Sequence, residues 1–108
     1  PCLLEDTLVL WMGEFGRGPQ IGDRDGKGRG HWPDCYTVMM AGGGIRGGAI
    51  YGASDAKGAY PASDPVGPED IAATLYWSLG IDPHAEVLDT QGRPLAISTG
   101  DPIEKIFG

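Results

Sequence analysis

The stretch that decides the fold is Thr7-Leu8-Val9-Leu10-Trp11-Met12-Gly13-Glu14-Phe15-Gly16-Arg17. Residues 7–12 are mostly apolar, β-branched or aromatic, and this pattern predicts a strand that is buried on both faces. Gly13 ends the strand and Glu14 follows it directly. Because open α/β sheets bind ligands at the carboxyl ends of their strands, Glu14 is a candidate functional carboxylate. An ion pair with Arg17 explains the same side chain equally well.

A second candidate, His31, lies near the end of the glycine-rich loop 16–33. Gly30 before it and Pro33 after it restrict the backbone path, which favours a positioned imidazole. Neutral imidazole is a common metal ligand in proteins. Packing of His31 on the neighbouring tryptophan is the alternative role. We expect Glu14 and His31 to face one cleft, within about 12 Å of each other, because one metal ion has to reach both at ligand distances of about 2 Å.

Size and charge limit the possible functions. The chain has 108 residues, enough for at most one small domain, and a formal net charge of −7. An acidic chain with scattered basic residues is not expected to bind nucleic acid or an anionic membrane. No apolar run approaches the roughly 18 residues of a membrane span. The first residue is Pro1, so we expect a processed product or a piece of a longer protein, and export of that longer protein is one open expectation for its localisation.

The remaining sequence predicts two more strands and one main helix. Residues 36–41 and 49–51 are expected to form a hairpin joined by a glycine-rich connection. Pro68 with the acidic pair after it predicts a helix start, and Gly80 predicts its end. The helix should bury an apolar stripe at helical spacing, formed by Ile71, Leu75 and Leu79.

One helix cannot cover both faces of a strand as apolar as residues 7–12. We therefore expect a homo-oligomer, or packing against the rest of a longer chain. After Gly80 the chain is predicted to be irregular until a short terminal helix at residues 103–107. Cys2 and Cys35 lack a CxxC spacing and are predicted to be free thiols. No serine, threonine or cysteine has an evident base beside it, so the sequence identifies no catalytic nucleophile.

These motifs together resemble the C-terminal part of domain-of-unknown-function family 1501, a bacterial family of sulfatase-like proteins in the alkaline phosphatase-like superfamily. The resemblance extends over nearly the whole chain. It rests on residues 7–17, 30–33, 41–48, 51–55, 68–74, 79–83 and 92–94.

The resemblance implies an α/β fold: the C-terminal fragment of a three-layer sandwich, with a small mixed sheet, a glycine-rich hairpin and one main helix. Residues 1–108 would form a single, partial domain. Members of the superfamily cleave phosphate or sulfate esters with a divalent metal ion and a nucleophile that lies far upstream of this region. The implied function is therefore the C-terminal part of a metal-dependent sulfuric or phosphoric ester hydrolase that is inactive as this fragment alone.

The resemblance also assigns candidate site residues. Glu14 takes the acidic position of a metal motif and His31 matches the histidine of the family, so these two are the implied metal ligands. Phe15 stands where the superfamily has a histidine ligand, and Gly30 precedes His31 where many relatives have aspartate. The anionic ester needs local positive charge, which Arg17 or Arg29 would supply. The alternative function is a non-catalytic binding or structural module with a decayed metal site.

Overall fold

A computed structural model describes residues 2–22 and 28–108, and the chain divides into two compact units, Pro1–Pro65 (unit 1) and Val66–Gly108 (unit 2). The strands found in unit 1 are β1 (Val9–Trp11), β2 (Gly16–Arg17), β3 (His31–Trp32), β4 (Met39–Ala41), β5 (Ala53–Ser54) and β6 (Pro61–Ser63). Unit 2 contains α1 (Pro68–Ser78), β7 (Glu86–Leu88), β8 (Pro94–Ala96) and a 3₁₀ turn, Glu104–Ile106. Part of the loop 16–33 lies outside the described residues.

The described strands form antiparallel pairs, β1 with β4, β2 with β3, β5 with β6, and β7 with β8. The predicted three-layer sandwich with a mixed sheet is therefore wrong. Parallel neighbours need long crossover connections, which are usually helices. In the described part of the chain, the α-helix comes after all the strands of unit 1 and therefore connects none of them. The described strands of that unit pair antiparallel.

β1 is shorter and more exposed than the sequence predicted. The strand covers only Val9–Trp11 rather than residues 7–12. Trp11 is 71% exposed and Val9 is 46% exposed. An apolar strand is buried only when other layers cover both of its faces. Unit 1 supplies β4 as a neighbour at one edge, and the predicted burial of this strand is wrong.

The predicted glycine-rich hairpin is also wrong. Residues 49–51 form no strand, and β4 pairs with β1 instead. Gly42 has φ +75° and Gly43 has φ +56°, so the chain turns in a conformation that favours glycine. The turn packs on the N-terminal segment, where Gly43 N donates to Leu4 O at 2.9 Å. A Cβ at Gly42 would meet the carbonyl oxygens of Thr7 and Leu4, so this contact requires glycine.

The predicted bounds of the main helix are confirmed. α1 begins at Pro68, and Gly80 beyond its end has φ +75°. The predicted buried stripe is only partly correct. Ile71 is 8% exposed and Leu75 is half-buried, whereas Leu79 is 74% exposed because it lies past the last helical residue and no longer follows helical spacing. None of the described helices is long and apolar enough to span a membrane.

The C-terminal region is more regular than predicted. β7 and β8 form a hairpin with Val87 opposite Leu95, where the sequence predicted irregular chain. Asp89 closes its turn by accepting hydrogen bonds from Gln91 N and Arg93 N and by pairing with Arg93 Nε at 2.7 Å. The predicted terminal helix is a 3₁₀ turn of three residues.

Thr74 connects α1 to the end of the chain inside unit 2. Its side chain is fully buried. The Oγ1 hydroxyl donates to Asp70 O at 2.6 Å and accepts from Ile103 N at 3.0 Å. The buried hydroxyl therefore pairs with a backbone group at each end of unit 2, one in α1 and one near the end of the chain.

We expect Thr74→Val to lower the free energy of unfolding by about 1–3 kcal/mol, because the amide of Ile103 loses its acceptor while the volume is kept. Urea denaturation followed by circular dichroism measures the change. Thr74→Ser is the matched control, since it keeps the hydroxyl and loses one methyl group worth about 0.8 kcal/mol. A Val variant as stable as the Ser variant would show that the hydroxyl contributes little.

Candidate functional site

β2 and β3 bring two of the candidate residues together in unit 1. Arg17 lies directly opposite His31 in the antiparallel register. The next pair along is hydrogen-bonded, since Gly18 N donates to Gly30 O at 2.8 Å. Arg17 and His31 therefore form the non-hydrogen-bonded pair, in which side chains come closest, with Cβ atoms typically about 4.5–5.5 Å apart.

The ring of Phe15 fixes the orientation of the His31 imidazole. The two rings are stacked, with centroids 3.9 Å apart and planes inclined by 25°. Phe15 is two residues before Arg17, so it is the diagonal neighbour of His31 on the same face of the strand pair. The aromatic partner of His31 is thus Phe15, and not the neighbouring tryptophan that the sequence offered as an alternative.

Trp32 anchors β3 to the loop before β6. Its indole Nε1 donates to Ala59 O at 2.6 Å, and its ring contacts the ring of Tyr60 edge-on at 5.7 Å. The loop is closed by Asp55, whose Oδ1 accepts from Ala59 N at 2.8 Å and from Lys57 N at 3.1 Å. Asp55 therefore positions Ala59, whose carbonyl oxygen accepts the hydrogen bond from Trp32. Through Trp32, Asp55 also supports β3, the strand that contains His31.

The sequence analysis missed Trp32 and Asp55 as parts of this arrangement. The available signal was the turn pattern Asp-x-x-Gly at 55–58, in which Gly58 has φ +67° and Asp55 hydrogen-bonds the backbone that follows it. That pattern predicts the loop. It does not predict that the loop supports β3, because Trp32 and Ala59 are 27 residues apart.

The anchor should respond to acid. The hydrogen bond from the backbone N–H of Ala59 lowers the pKa of Asp55 below its ordinary 3.8, and the N–H of Lys57 adds to this effect. Desolvation opposes it in part. A carboxyl with a folded-state pKa below its unfolded-state value stabilises the fold above the unfolded value and loses that contribution as pH falls through the lowered pKa. We expect the indole N–H signal of Trp32 in NMR spectra to shift as pH falls below 3.8.

Asp55→Asn is the control for this prediction. The amide keeps an oxygen acceptor and does not ionise in this range. The acid-dependent shift of the Trp32 indole signal should therefore vanish in the variant. The same pH profile in both proteins would assign the shift to another group.

The remaining candidates, Glu14 and Arg29, are exposed, as are Arg17 and His31. Glu14 immediately precedes the stacked Phe15, and Arg29 lies two residues before His31. The alternative role of Glu14 was an ion pair with Arg17, and the ion pairs between described side chains do not include this one. A cleft shared by Glu14 and His31 stays a prediction.

A metal ion does not fit the described residues by themselves. Across residues 2–22 and 28–108, no group of three or more His, Cys, Asp or Glu side chains is placed to hold one ion. Protein metal sites usually have three or more protein ligands. A metal held by Glu14 and His31 therefore remains a prediction that requires further ligands from elsewhere.

Two polar side chains of unit 2, His84 and Ser98, have structural partners. His84 is exposed, and its Nε2 lies 3.0 Å from Gly100 O and 3.6 Å from Asp101 Oδ1. Ser98 is buried, and its hydroxyl donates to Glu69 O at 2.9 Å. The Ser98 contact ties the segment after β8 to the start of α1, and the His84 contacts tie that segment to the residues before β7. Cys2 and Cys35 in unit 1 are free thiols, as predicted.

Comparison with known proteins gives one family match. The family model described as "Protein of unknown function (DUF1501)" matches residues 2–107. Curated proteins and solved structures give no match. The description of the family carries no activity, so the function has to be argued from the site.

Proposed function

The chain belongs to the DUF1501 family of proteins of unknown function, and we propose that it forms the part of a sulfuric or phosphoric ester hydrolase that binds the anionic group of the substrate. The observation that carries the proposal is the register of β2 and β3, which sets Arg17 opposite His31. The chain on its own does not hydrolyse the ester.

The chemistry of the pair suits an oxyanion. The guanidinium of Arg17 presents a rigid set of donors that matches sulfate and phosphate oxygens, and these charge-assisted hydrogen bonds are strong. The imidazole of His31 adds a donor from the opposite strand. Stacking on Phe15 holds the plane of that imidazole, and both side chains are open to solvent. In a chain with net charge −7, such local donors are needed to attract an anion.

Glu14 limits how the site can work. If the predicted cleft brings Glu14 close to His31, its carboxylate repels an anionic ester unless a cation lies between them. Arg17 can supply that charge alone, and a divalent metal ion held by Glu14, His31 and further ligands could add to it. We propose Arg17 and His31 as the substrate-binding pair, with Arg29 as a secondary cation.

The alternative function, a non-catalytic binding module, has one observation in its favour. The ring of Phe15 occupies the position of a metal-binding histidine in the resemblance and covers one face of the His31 imidazole at 3.9 Å. A site modified in this way would hold an anionic ligand without cleaving it. Both functions share the anion-binding pair and differ only in whether the complete protein catalyses.

The isolated chain should bind p-nitrophenyl sulfate or phosphate without turning it over. Binding is followed by the NMR signals of the His31 ring, and turnover by nitrophenolate release with added zinc, manganese or calcium. Hydrolysis needs a positioned nucleophile and a metal held by several ligands. The sequence identifies no nucleophile with a base beside it and no full set of metal ligands. Turnover that is lost in Glu14→Ala and His31→Ala, but kept in the control His84→Ala, would contradict the prediction that the site in this chain is incomplete.

A further inference from the structure

The backbone pairing of β2 and β3 continues beyond the anion-binding pair and fixes the position of a third basic residue, Arg29. Gly18 N donates to Gly30 O at 2.8 Å, and Gly22 N donates to Gly28 O at 2.7 Å. Arg29 lies between these two hydrogen bonds, so its backbone is held beside the chain that follows β2. Its side chain is exposed.

Arg29 shares one face of the strand pair with His31. Gly30 alone separates the two residues, and its carbonyl continues the hydrogen-bonded register of β3. Alternate residues of a strand point to the same face and lie about 6.5–7 Å apart along it. Arg17, which lies opposite His31, is the diagonal neighbour of Arg29 at a typical distance of about 7–8 Å. We call Arg17, His31 and Arg29 the basic face.

This spacing leaves room for two anionic groups on the basic face. A guanidinium holds one oxyanion through paired, charge-assisted donors. Arg17 and His31 occupy one level of the strand pair, and Arg29 occupies the next level along it. A group held by the first two side chains therefore leaves the guanidinium of Arg29 for a second group of the same ligand.

The charge along the chain favours the same arrangement. Residues 15–33 contain four basic and two acidic residues, which is half of the eight Lys and Arg of a chain whose net charge is −7. Glu14 precedes Phe15 on β2's side of the pair, whereas Arg29 precedes His31 on the antiparallel strand. Glu14 and Arg29 therefore lie toward opposite ends of the basic face, and a second anionic group is favoured at the end with Arg29.

We propose that the ligand of this site carries two anionic groups joined by a short spacer, with one group held by Arg17 and His31 and the other by Arg29. The inference rests on the proposed function, because Arg17 and His31 are the anion-binding pair of that function. It adds the chemical class of the ligand, a molecule with two sulfate, sulfonate or phosphate groups rather than one.

A titration with two sulfonates that cannot be hydrolysed tests the second group. Propane-1-sulfonate carries one anionic group, and propane-1,3-disulfonate carries two at the ends of the same spacer. Both are followed by the NMR signals of the His31 ring at a constant ionic strength of about 0.1 M. We expect the disulfonate to bind at least about tenfold more tightly, because its second contact forms within a complex that already exists.

Three variants assign the advantage of the disulfonate to single side chains. Arg29→Gln should remove most of the advantage and leave the affinity for propane-1-sulfonate unchanged. Arg17→Gln should weaken the binding of both ligands. Lys57→Gln is the matched control, since it removes one positive charge from an exposed position elsewhere in unit 1 and should keep the advantage. Circular dichroism verifies that each variant is folded.

The outcomes separate this inference from the proposed function. Equal affinities of the wild type for both sulfonates would overturn the second anionic group and leave the proposed function standing. An advantage that persists in Arg29→Gln, or that is lost equally in Lys57→Gln, would also overturn it. So would equal weakening of both ligands by Arg29→Gln, which would place Arg29 on the same anionic group as Arg17. A wild type that binds neither sulfonate would contradict the proposed function and this inference together.

Discussion

Gly16→Ala is expected to lower the free energy of unfolding by about 3 kcal/mol, at the upper end of the usual cost of overpacking. Gly16 is buried in β2, opposite Trp32. A Cβ at this position would meet Cys35 O, Tyr36 Cβ at 2.8 Å and Trp32 O at 3.1 Å. Two of these atoms belong to the backbone, so relief requires that the chain after β3 move away from β2.

The same displacement would disturb the site. Arg17 is the next residue of β2, and its position opposite His31 depends on the close approach at Gly16. The ring contact between Phe15 and His31 should be lost along with the stability. Urea denaturation followed by circular dichroism gives the stability change, and NMR contacts between the two rings report the local change.

Gly47→Ala is the control for this substitution. No heavy atom lies within 4 Å of a Cβ built at Gly47, and its φ is not in the left-handed region. A surface substitution of this kind normally changes stability by no more than about 0.5 kcal/mol. Equal denaturation midpoints for the two variants would contradict the close packing at Gly16.

The sequence predicted α1 because its signals are local. Pro68 suits the first turn of a helix, and Asp70 accepts a hydrogen bond from Gly67 N at 2.8 Å. Gly80 adopts the positive φ that ends the helix. Each of these features depends on residues a few positions away, so no tertiary information was needed.

The predicted sandwich failed because burial of a strand depends on other elements. The apolar pattern of residues 7–12 shows what the strand requires on its two faces. The pattern does not show whether the chain supplies layers that cover those faces. In the structure, Trp11 is 71% exposed. The hairpin of β7 and β8 was missed because its strands are only three residues long, which is too short for a clear alternation of apolar and polar residues.

The candidate site residues were named from the sequence and remain a prediction, whereas the arrangement of Arg17 and His31 comes from the structure. His31 and Arg17 were candidates because of their chemistry and their neighbours in sequence. Their opposition depends on the register of β2 and β3, across a loop whose length does not determine that register. The stacking of Phe15 on His31 follows from the same register. The sequence analysis therefore treated Phe15 only as a missing ligand.

Arg17→Gln is expected to weaken the binding of inorganic phosphate and sulfate at least about tenfold. The guanidinium loses both its charge and its paired donors, and a hydrogen bond to a charged group is worth about 1.5–3 kcal/mol. Glutamine keeps a polar side chain without the charge, and position 17 is exposed, so the fold of β2 should be unchanged. Lys57→Gln is the matched control, because it removes one positive charge from an exposed position elsewhere in unit 1.

The most direct measurement is a titration of the wild-type chain and these two variants with phosphate and sulfate, followed by the NMR signals of the His31 ring. The account predicts saturable shifts in the wild type and in Lys57→Gln, with a dissociation constant at least about tenfold higher in Arg17→Gln. Shifts that are absent in the wild type, or equally weakened in both variants, would contradict a specific anion site formed by Arg17 and His31.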